Sequence, residues 1–329
     1  MKPVKWGIIS TANIGMQKVL PAMLKSKEVE IVAIASRKLK TAREAAAKLG
    51  IPKAYGSYEE MLADPEIEAV YNPLPNHLHV PLTVAAVKAG KHVLCEKPIA
   101  ITAREAATLR KLPKNKLVAE AFMVRYASQW VETLARVKKG EIGEVRAIQV
   151  MFTYFNRDPK NVRNMQGIGG GGLLDIGCYP ITIARYIFGA DPLRAAATID
   201  IDPKFKVDRL AGGLLEFSKG RHLSFTVSTQ LAPYQRVHIM GTKGRIEIEM
   251  PFNAPPDKPN RYFVQGMAMN EGEWVEIPVI DQYTQQAEAF GRAIRKKQKL
   301  QWGIEDAITN MKIIDALFKS GKSGRFEKI

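Results

Sequence analysis

Between Val4 and Phe122, short apolar runs alternate with amphipathic stretches of helical length, and this alternation constrains the fold more than any other feature of the chain. The apolar runs are Val4 to Ile9, Glu30 to Ala35, Glu68 to Tyr71, His92 to Cys95 and Leu117 to Phe122. Between them lie helix patterns through Val19, Leu20 and Met23, then Thr41 to Leu49, a short capped helix at Ser57 to Leu62, a helix from His79-Val80-Pro81 to Gly90, and a surface helix over Ala103 to Leu112. Strands joined by helices of this length pair in parallel through right-handed crossovers. A strand, a tight turn and a helix in that order open a dinucleotide-binding fold, in which ligands lie outside the carboxyl ends of the strands.

The residues at those strand ends carry the chemistry. After the first strand, Ser10 and Ala12 stand where the usual fingerprint has its first two glycines, and only Gly15 remains. The turn Ser10-Thr11-Ala12-Asn13-Ile14 is therefore the expected cradle for a pyrophosphate, with the Ala12 methyl tolerated if the turn relaxes slightly. The second strand ends at Ser36-Arg37, roughly twenty residues beyond Gly15, where NAD-binding folds place an acidic residue. A hydroxyl and a guanidinium suit a 2′-phosphate instead, which favours NADP over NAD. The third run ends in Asn72-Pro73-Leu74-Pro75-Asn76-His77, an extended loop fixed by its prolines. His77 and His79 read as loop and helix-cap residues rather than metal ligands. The strand His92 to Cys95 stops at Glu96-Lys97-Pro98, because Pro98 removes a ladder donor and turns the chain, and this delivers Lys97 to the ligand edge.

Beyond Gly143 the pattern changes. Val145 to Phe155 reads as a long alternating strand, followed by runs at Ala195–Ile201, Leu214–Phe217, Leu223–Val227, Val237–Met240, Ile246–Glu249 and Trp274–Ile277. Turns at Lys219-Gly220 and Lys243-Gly244 make these a mostly antiparallel sheet in a second, α+β domain. Helices at Thr284 to Lys296 and Glu305 to Lys319 finish the chain. Within the second domain Gly169-Gly170-Gly171-Gly172 precede Leu173-Leu174-Asp175-Ile176-Gly177-Cys178-Tyr179. The glycines let backbone pack closely against a bulky neighbour, and Asp175 and Tyr179, four apart, share one helix face. A carboxylate and a phenol can hold a substrate hydroxyl and exchange its proton. A phenol titrating near pH ~10 is a poor base at neutrality unless a cation such as Lys97 lowers its pKa.

Composition narrows the function classes. A chain of 329 residues has room for two cores, and no apolar run approaches the length of a membrane span. The first strand begins right after Lys2-Pro3, which leaves no place for a signal peptide and implies a cytoplasmic protein. Cys95 and Cys178 lack metal-like spacing, the five histidines include no HExxH, and no metal site is expected. The net charge of +16 is spread along the chain, densest at Arg292 to Lys297, which reads as a solvated helix end rather than a nucleic-acid stripe.

Taken together, Trp6 to Gly15, Ser36-Arg37, Pro73 to His77, Glu96-Lys97-Pro98, Glu120-Ala121-Phe122-Met123 and the glycine segment with Asp175 and Tyr179 resemble the Gfo/Idh/MocA oxidoreductases. Tyr179, where many members have histidine, is similar to the branch with glucose-fructose oxidoreductase, dimeric dihydrodiol dehydrogenase and NADP-dependent D-xylose dehydrogenase. The resemblance implies an α/β chain: an N-terminal Rossmann NADP-binding domain over 1–122, and over 123–329 a substrate-binding and oligomerisation domain with a large, mostly antiparallel open-faced sheet. It implies a hydride transfer between NADP and a secondary alcohol or hemiacetal carbon of a sugar or cyclic polyol. Catalysis would fall to Lys97, Tyr179 and Asp175. Cofactor contacts would come from Ser10 to Ile14, Ser36, Arg37, Pro73, Leu74, Asn76, His79, Glu96, Lys97 and Arg125. Substrate contacts would add Phe155, Arg163 and Tyr283 to the catalytic residues. A homodimer through the second-domain sheet, with alternate residues of Leu214 to Val227 in contact, is the expected assembly. A non-catalytic NADP-sensing regulator and a trans-dihydrodiol dehydrogenase remain as alternatives.

Overall fold

The computed structural model describes residues 2–329, and the chain divides into two compact units, Met1–Met123 with Tyr283–Ile308, and Val124–Gln282 with Thr309–Ile329. The sequence assigns everything beyond 122 to a second domain, whereas Tyr283–Ile308 packs with the first unit. The reason is a face of the first sheet that needs cover. The helix Gln282–Arg295 lays Phe290 against Trp6, ring centroids 5.6 Å apart, and both side chains are fully buried in a core that includes Ile8, Leu20, Tyr71 and Leu94. Truncating such a ring typically costs about 3–5 kcal/mol, so the first unit depends on this distant segment. The basic run is also less solvated than its charge suggests: Arg295 holds Glu68 through two bonds of 2.6 Å, and Arg292 reaches Glu28 and Glu288.

The first unit is built on β1 (Val4–Ile9), β2 (Val29–Ala35), β3 (Lys53–Tyr55), β4 (Ala69–Asn72), β5 (His92–Cys95) and β6 (Val118–Glu120). All pair in parallel in the order β3-β2-β1-β4-β5-β6, as near-continuous apolar runs require when both faces are covered. Here the order reverses between the β1–β2 and β4–β5 sides, and the loops after β1, β2, β4 and β5 share one carboxyl edge.

The second unit is a nine-stranded sheet of β7 (Val145–Phe155), β8 (Arg194–Ile201), β9 (Asp208–Glu216), β10 (His222–Ser228), β11 (Gln230–Gly241), β12 (Arg245–Ile248), β13 (Asn260–Gln265), β14 (Gly272–Ile277) and β15 (Glu327–Lys328). Its order is β14-β13-β12-β11-β7-β10-β9-β8-β15, and every pairing is antiparallel except β7 with β10. Alternation sorts its two faces. Ile148, Val150, Phe152, Leu223, Phe225 and Val227 are buried on the side that carries helices Ser128–Lys138 and Cys178–Phe188, while Gln149, Met151, Ser224, Thr226 and Leu214 are open on the other. Among the described residues, no helix is long and apolar enough to cross a membrane.

Candidate active site

At the carboxyl edge of the first sheet, the turn after β1 is unusual in its backbone. Ser10 sits at φ +79°, in the left-handed region where the ordinary fingerprint has glycine, and the chain then enters a π-helical turn over Gly15–Val19. Among the described residues, the side chains of Ser10, Thr11 and Asn13 in this turn, and those of Ser36 and Arg37 after β2, make no hydrogen bond or ion pair. Polar groups left without partners on one sheet edge fit an anionic dinucleotide, with Ser36 and Arg37 available to a 2′-phosphate.

Lys97 stands on a tightly held segment, and its bond to Pro98 is cis. The Glu96 amide donates to the Asn72 carbonyl at 3.0 Å, and one Glu96 carboxylate oxygen accepts from the Tyr71 hydroxyl at 2.6 Å. Beyond Pro98, the Ile99 amide donates to buried Glu120 at 2.7 Å. His79 completes the bracing. Its Nδ1 lies 2.7 Å from the Pro98 carbonyl and its Nε2 2.6 Å from the Leu74 carbonyl, so the ring ties the Pro73-Leu74 loop to the loop after Lys97. Full burial depresses the His79 pKa to about 4, and the neutral ring has one N–H for these two carbonyls. Expected as a cofactor contact, His79 instead has both nitrogens committed to main chain. Pro73 and Leu74 are buried beside it, and Asn76 is half-exposed in the turn that precedes its helix. Tyr71 carries no motif and sequence reasoning misses it, whereas Glu120 belongs to the Glu120-Ala121-Phe122-Met123 segment and is given no role of its own.

In the second unit the structure brings Asp175 and Arg163 together. The Arg163 Nε donates to an Asp175 carboxylate oxygen at 2.8 Å, and the Tyr154 hydroxyl donates to the same oxygen at 2.6 Å. The adjacent carboxylate raises the Arg163 pKa further, while burial and the same carboxylate hold Tyr154 firmly protonated. Tyr154 is a second residue that the sequence reading misses, since it looks like any aromatic of an alternating strand. Asp175 lies in a π-helical turn, Leu173–Gly177, that runs into the helix Cys178–Phe188. Tyr179, in the first turn of that helix, packs its ring against Phe152 and Phe252 at centroid distances of 5.6 and 5.2 Å.

Three further expected contacts are placed as follows within their own units. Phe155 is 61% exposed at the end of β7. Arg125 is buried in the second unit, where its charge offsets the burial that raises the Tyr186 pKa. Tyr283 is in the first unit, half-buried against the core and close enough to Tyr71 to influence its ionisation.

Comparison with known proteins decides the family. The model of the oxidoreductase family with an NAD-binding Rossmann fold, GFO/IDH/MocA, matches residues 4–126, and the model of the GFO/IDH/MocA C-terminal domain matches residues 130–247. The chain belongs to the GFO/IDH/MocA oxidoreductases. It is 46% identical to an uncharacterized oxidoreductase of Rhizobium meliloti over 100% of both chains. It is 35% identical to D-xylose 1-dehydrogenase (NADP(+)) 2 of Haloferax volcanii over 97% of this chain and 98% of that one. Among solved structures, a 3-ketoreductase from Actinomadura kijaniata in complex with NADP and TDP-benzene superposes with a TM-score of 0.89 at 28% identity, covering 97% of this chain and 98% of that one. The chain is thus an oxidoreductase of a family whose members act on sugar-like alcohols and ketones, and both of its expected folds are present.

Proposed function

We propose that this oxidoreductase is an NADP-dependent dehydrogenase of aldoses, acting at a hemiacetal or secondary alcohol carbon. The observation that carries the reading is the carboxyl edge of the six-stranded sheet, where the Ser36 and Arg37 side chains are free beside the turn after β1, and Lys97 is braced on the same edge. Similarity along the whole chain to an NADP-dependent D-xylose dehydrogenase supports an aldose as substrate.

When bound, NADP supplies the hydride acceptor. The chain's own residues hold the cofactor and move the proton. Backbone of the turn Ser10 to Ile14 takes the pyrophosphate, and Ser36 and Arg37 take the 2′-phosphate. Tyr179 accepts the proton of the reacting hydroxyl, and Lys97, braced at the carboxyl edge of the first sheet, is the other group that can make that transfer. Asp175, oriented by Tyr154 and Arg163, accepts a hydrogen bond from a substrate hydroxyl. The outward face of β7, β9 and β10, with Met151, Leu214, Ser224 and Thr226, is the surface through which a second copy binds.

The test is turnover of an aldose and cyclic polyol panel with NADP and with NAD. Wild-type protein should reduce NADP with at least one aldose, and Tyr179→Phe should lose on the order of 10²- to 10⁴-fold in kcat while remaining folded. Absence of turnover across the panel, with NADP bound, would favour the regulator reading. A wild-type rate retained by Tyr179→Phe would remove Tyr179 from the chemistry.

A further inference from the structure

Asp208, at the start of β9, is a buried carboxylate that none of the chemistry above uses. It is only 3% exposed, and its Oδ2 accepts the Leu173 amide at 2.6 Å. The Gly172 amide and its own amide also donate to it. The Gly172 and Leu173 amides lie at the start of the π-helical turn that carries Asp175, where N–H groups have no partner inside the helix. The glycine run is shaped around this carboxylate. Gly171 has φ +111°, and a Cβ there would collide with Oδ1 of Asp208; a Cβ on Gly170 would lie 2.6 Å from the Met165 carbonyl and 2.7 Å from that of Arg163. The Gly171 amide donates to the Arg163 carbonyl at 2.9 Å, and the Gly171 carbonyl accepts the Asp175 amide at 3.1 Å. The contacts close into a ring: Asp208 holds Leu173, the turn carries Asp175, Asp175 pairs with the Arg163 side chain, and the Arg163 backbone is tied back to Gly171.

We infer that Asp208 is the positioning residue for Asp175, fixing the glycine-led turn so that the Asp175 carboxylate meets Tyr154 and Arg163 at one place. The inference rests on the proposed sugar reaction only for its kinetic consequence; the anchoring itself is independent of it. Asp208 never touches substrate in this arrangement. The neighbouring Arg209 is turned away to Asp200, at 2.6 Å, so the compensation for the buried charge comes from the helix amides and not from a cation on β9. Burial pushes the Asp208 carboxyl up to about 7, with the amides pulling the other way and the Asp175 charge adding to the rise.

Two measurements test it. Hydrogen exchange over residues 169–177 should accelerate roughly 10-fold in Asp208→Ala, and return most of the way in Asp208→Asn, which keeps an oxygen for the Leu173 amide. Unchanged protection in Asp208→Ala would overturn the anchor. In the kinetic arm, Asp208→Ala should lower kcat/KM for the sugar by roughly 10- to 100-fold, as expected of a small misplacement, with NADP affinity unchanged. In an Asp175→Ala background the same substitution should cost less than about 3-fold, because it acts through Asp175. Equal losses in both backgrounds would show a general structural effect and refute the positioning role. If Asp208→Ala does not fold, Asp208→Ser, whose hydroxyl is too short to take the place of the carboxylate, serves the same comparison. A wild type that turns over no sugar would defeat the proposed reaction, and the exchange measurement would still decide on Asp208.

Discussion

Two turns in this chain look alike on paper and are built for opposite purposes. The turn after β1 and the glycine segment ahead of Tyr179 both open into a π-helical turn, Gly15–Val19 in one and Leu173–Gly177 in the other. The first replaces a glycine with Ser10, keeps the left-handed backbone anyway, and leaves the polar side chains of Ser10, Thr11 and Asn13 without partners among the described residues. The second spends its glycines on internal clearance, with Asp208 and the Arg163 and Met165 carbonyls packed against Gly170 and Gly171. Glycine richness is therefore a poor guide to where a ligand lies. In the proposed function, the free polar groups and not the glycines mark the cofactor edge.

Substitutions at the two turns should separate them. The largest effect is expected from Gly171→Ala, where a left-handed φ of +111° and the collision with Asp208 combine. A strained non-glycine residue costs about 1–3 kcal/mol before any clash is counted, so thermal unfolding should show a severe loss or no folded protein. Gly15→Ala, whose Cβ would meet Leu20 Cδ1 at 3.3 Å, should by contrast fold with a small shift. Comparable losses at both positions would erase the distinction.

Next in size is cofactor choice. Arg37→Asp removes the charge meant for the 2′-phosphate, a hydrogen bond to a charged group worth about 1.5–3 kcal/mol, so the preference for NADP over NAD should fall by roughly 10- to 100-fold in Kd measured by fluorescence. A mutant with unchanged preference would move the 2′-phosphate site elsewhere.

The pH dependence of stability should sharpen the picture of the second turn. A carboxyl whose folded pKa is about 7 binds its proton more tightly folded than unfolded, so its stabilising effect is full below about 4 and is lost as pH rises through about 7. Subtracting Tm profiles of wild type and Asp208→Asn should isolate this term, with the mutant gaining relative to wild type as pH rises across that window. His79 and His92, both depressed to about 4 by burial, act in the opposite sense, losing stability as pH falls from about 6.5, and they cancel in the subtraction. A flat difference would mean that Asp208 is ionised throughout.

The smallest effect belongs to Ser10→Gly. Relief of about 1 kcal/mol of left-handed strain is offset by glycine's extra chain entropy of roughly 0.5–1 kcal/mol, so Tm should barely move. A drop in NADP affinity of more than about 10-fold would identify the Ser10 hydroxyl as a ligand rather than a spectator.

The first unit was the more legible of the two from sequence because buried parallel strands are near-continuous apolar runs, and β1, β2, β4 and β5 are all of this kind. The missed strands were those with weak patterns: β3 has only 3 residues, all half-buried, β13 follows a proline-rich stretch that reads as loop, and β15 has only 2 residues. Helical spacing announced Gln282–Arg295 as a helix but not which sheet it covers, since an apolar stripe does not name its partner. At the site, Lys97 and Asp175 stood out because their residue types sit beside proline or glycine punctuation, and Arg163 came only from the family resemblance. Tyr71, Tyr154, Glu120 and Asp208 act through contacts with residues 25, 21, 21 and 35 positions away, and no local pattern records those.

The central claim is that a sugar carbon gives its hydride to NADP in this protein. An aldose deuterated at every carbon, incubated with NADP and enzyme, tests it most directly by mass spectrometry of the cofactor. Transfer of one deuterium, as deuteride, to the nicotinamide, together with formation of the oxidised sugar in equal amount, is the expected result. Bound NADP that remains oxidised, or reduced cofactor that carries no deuterium, would contradict it.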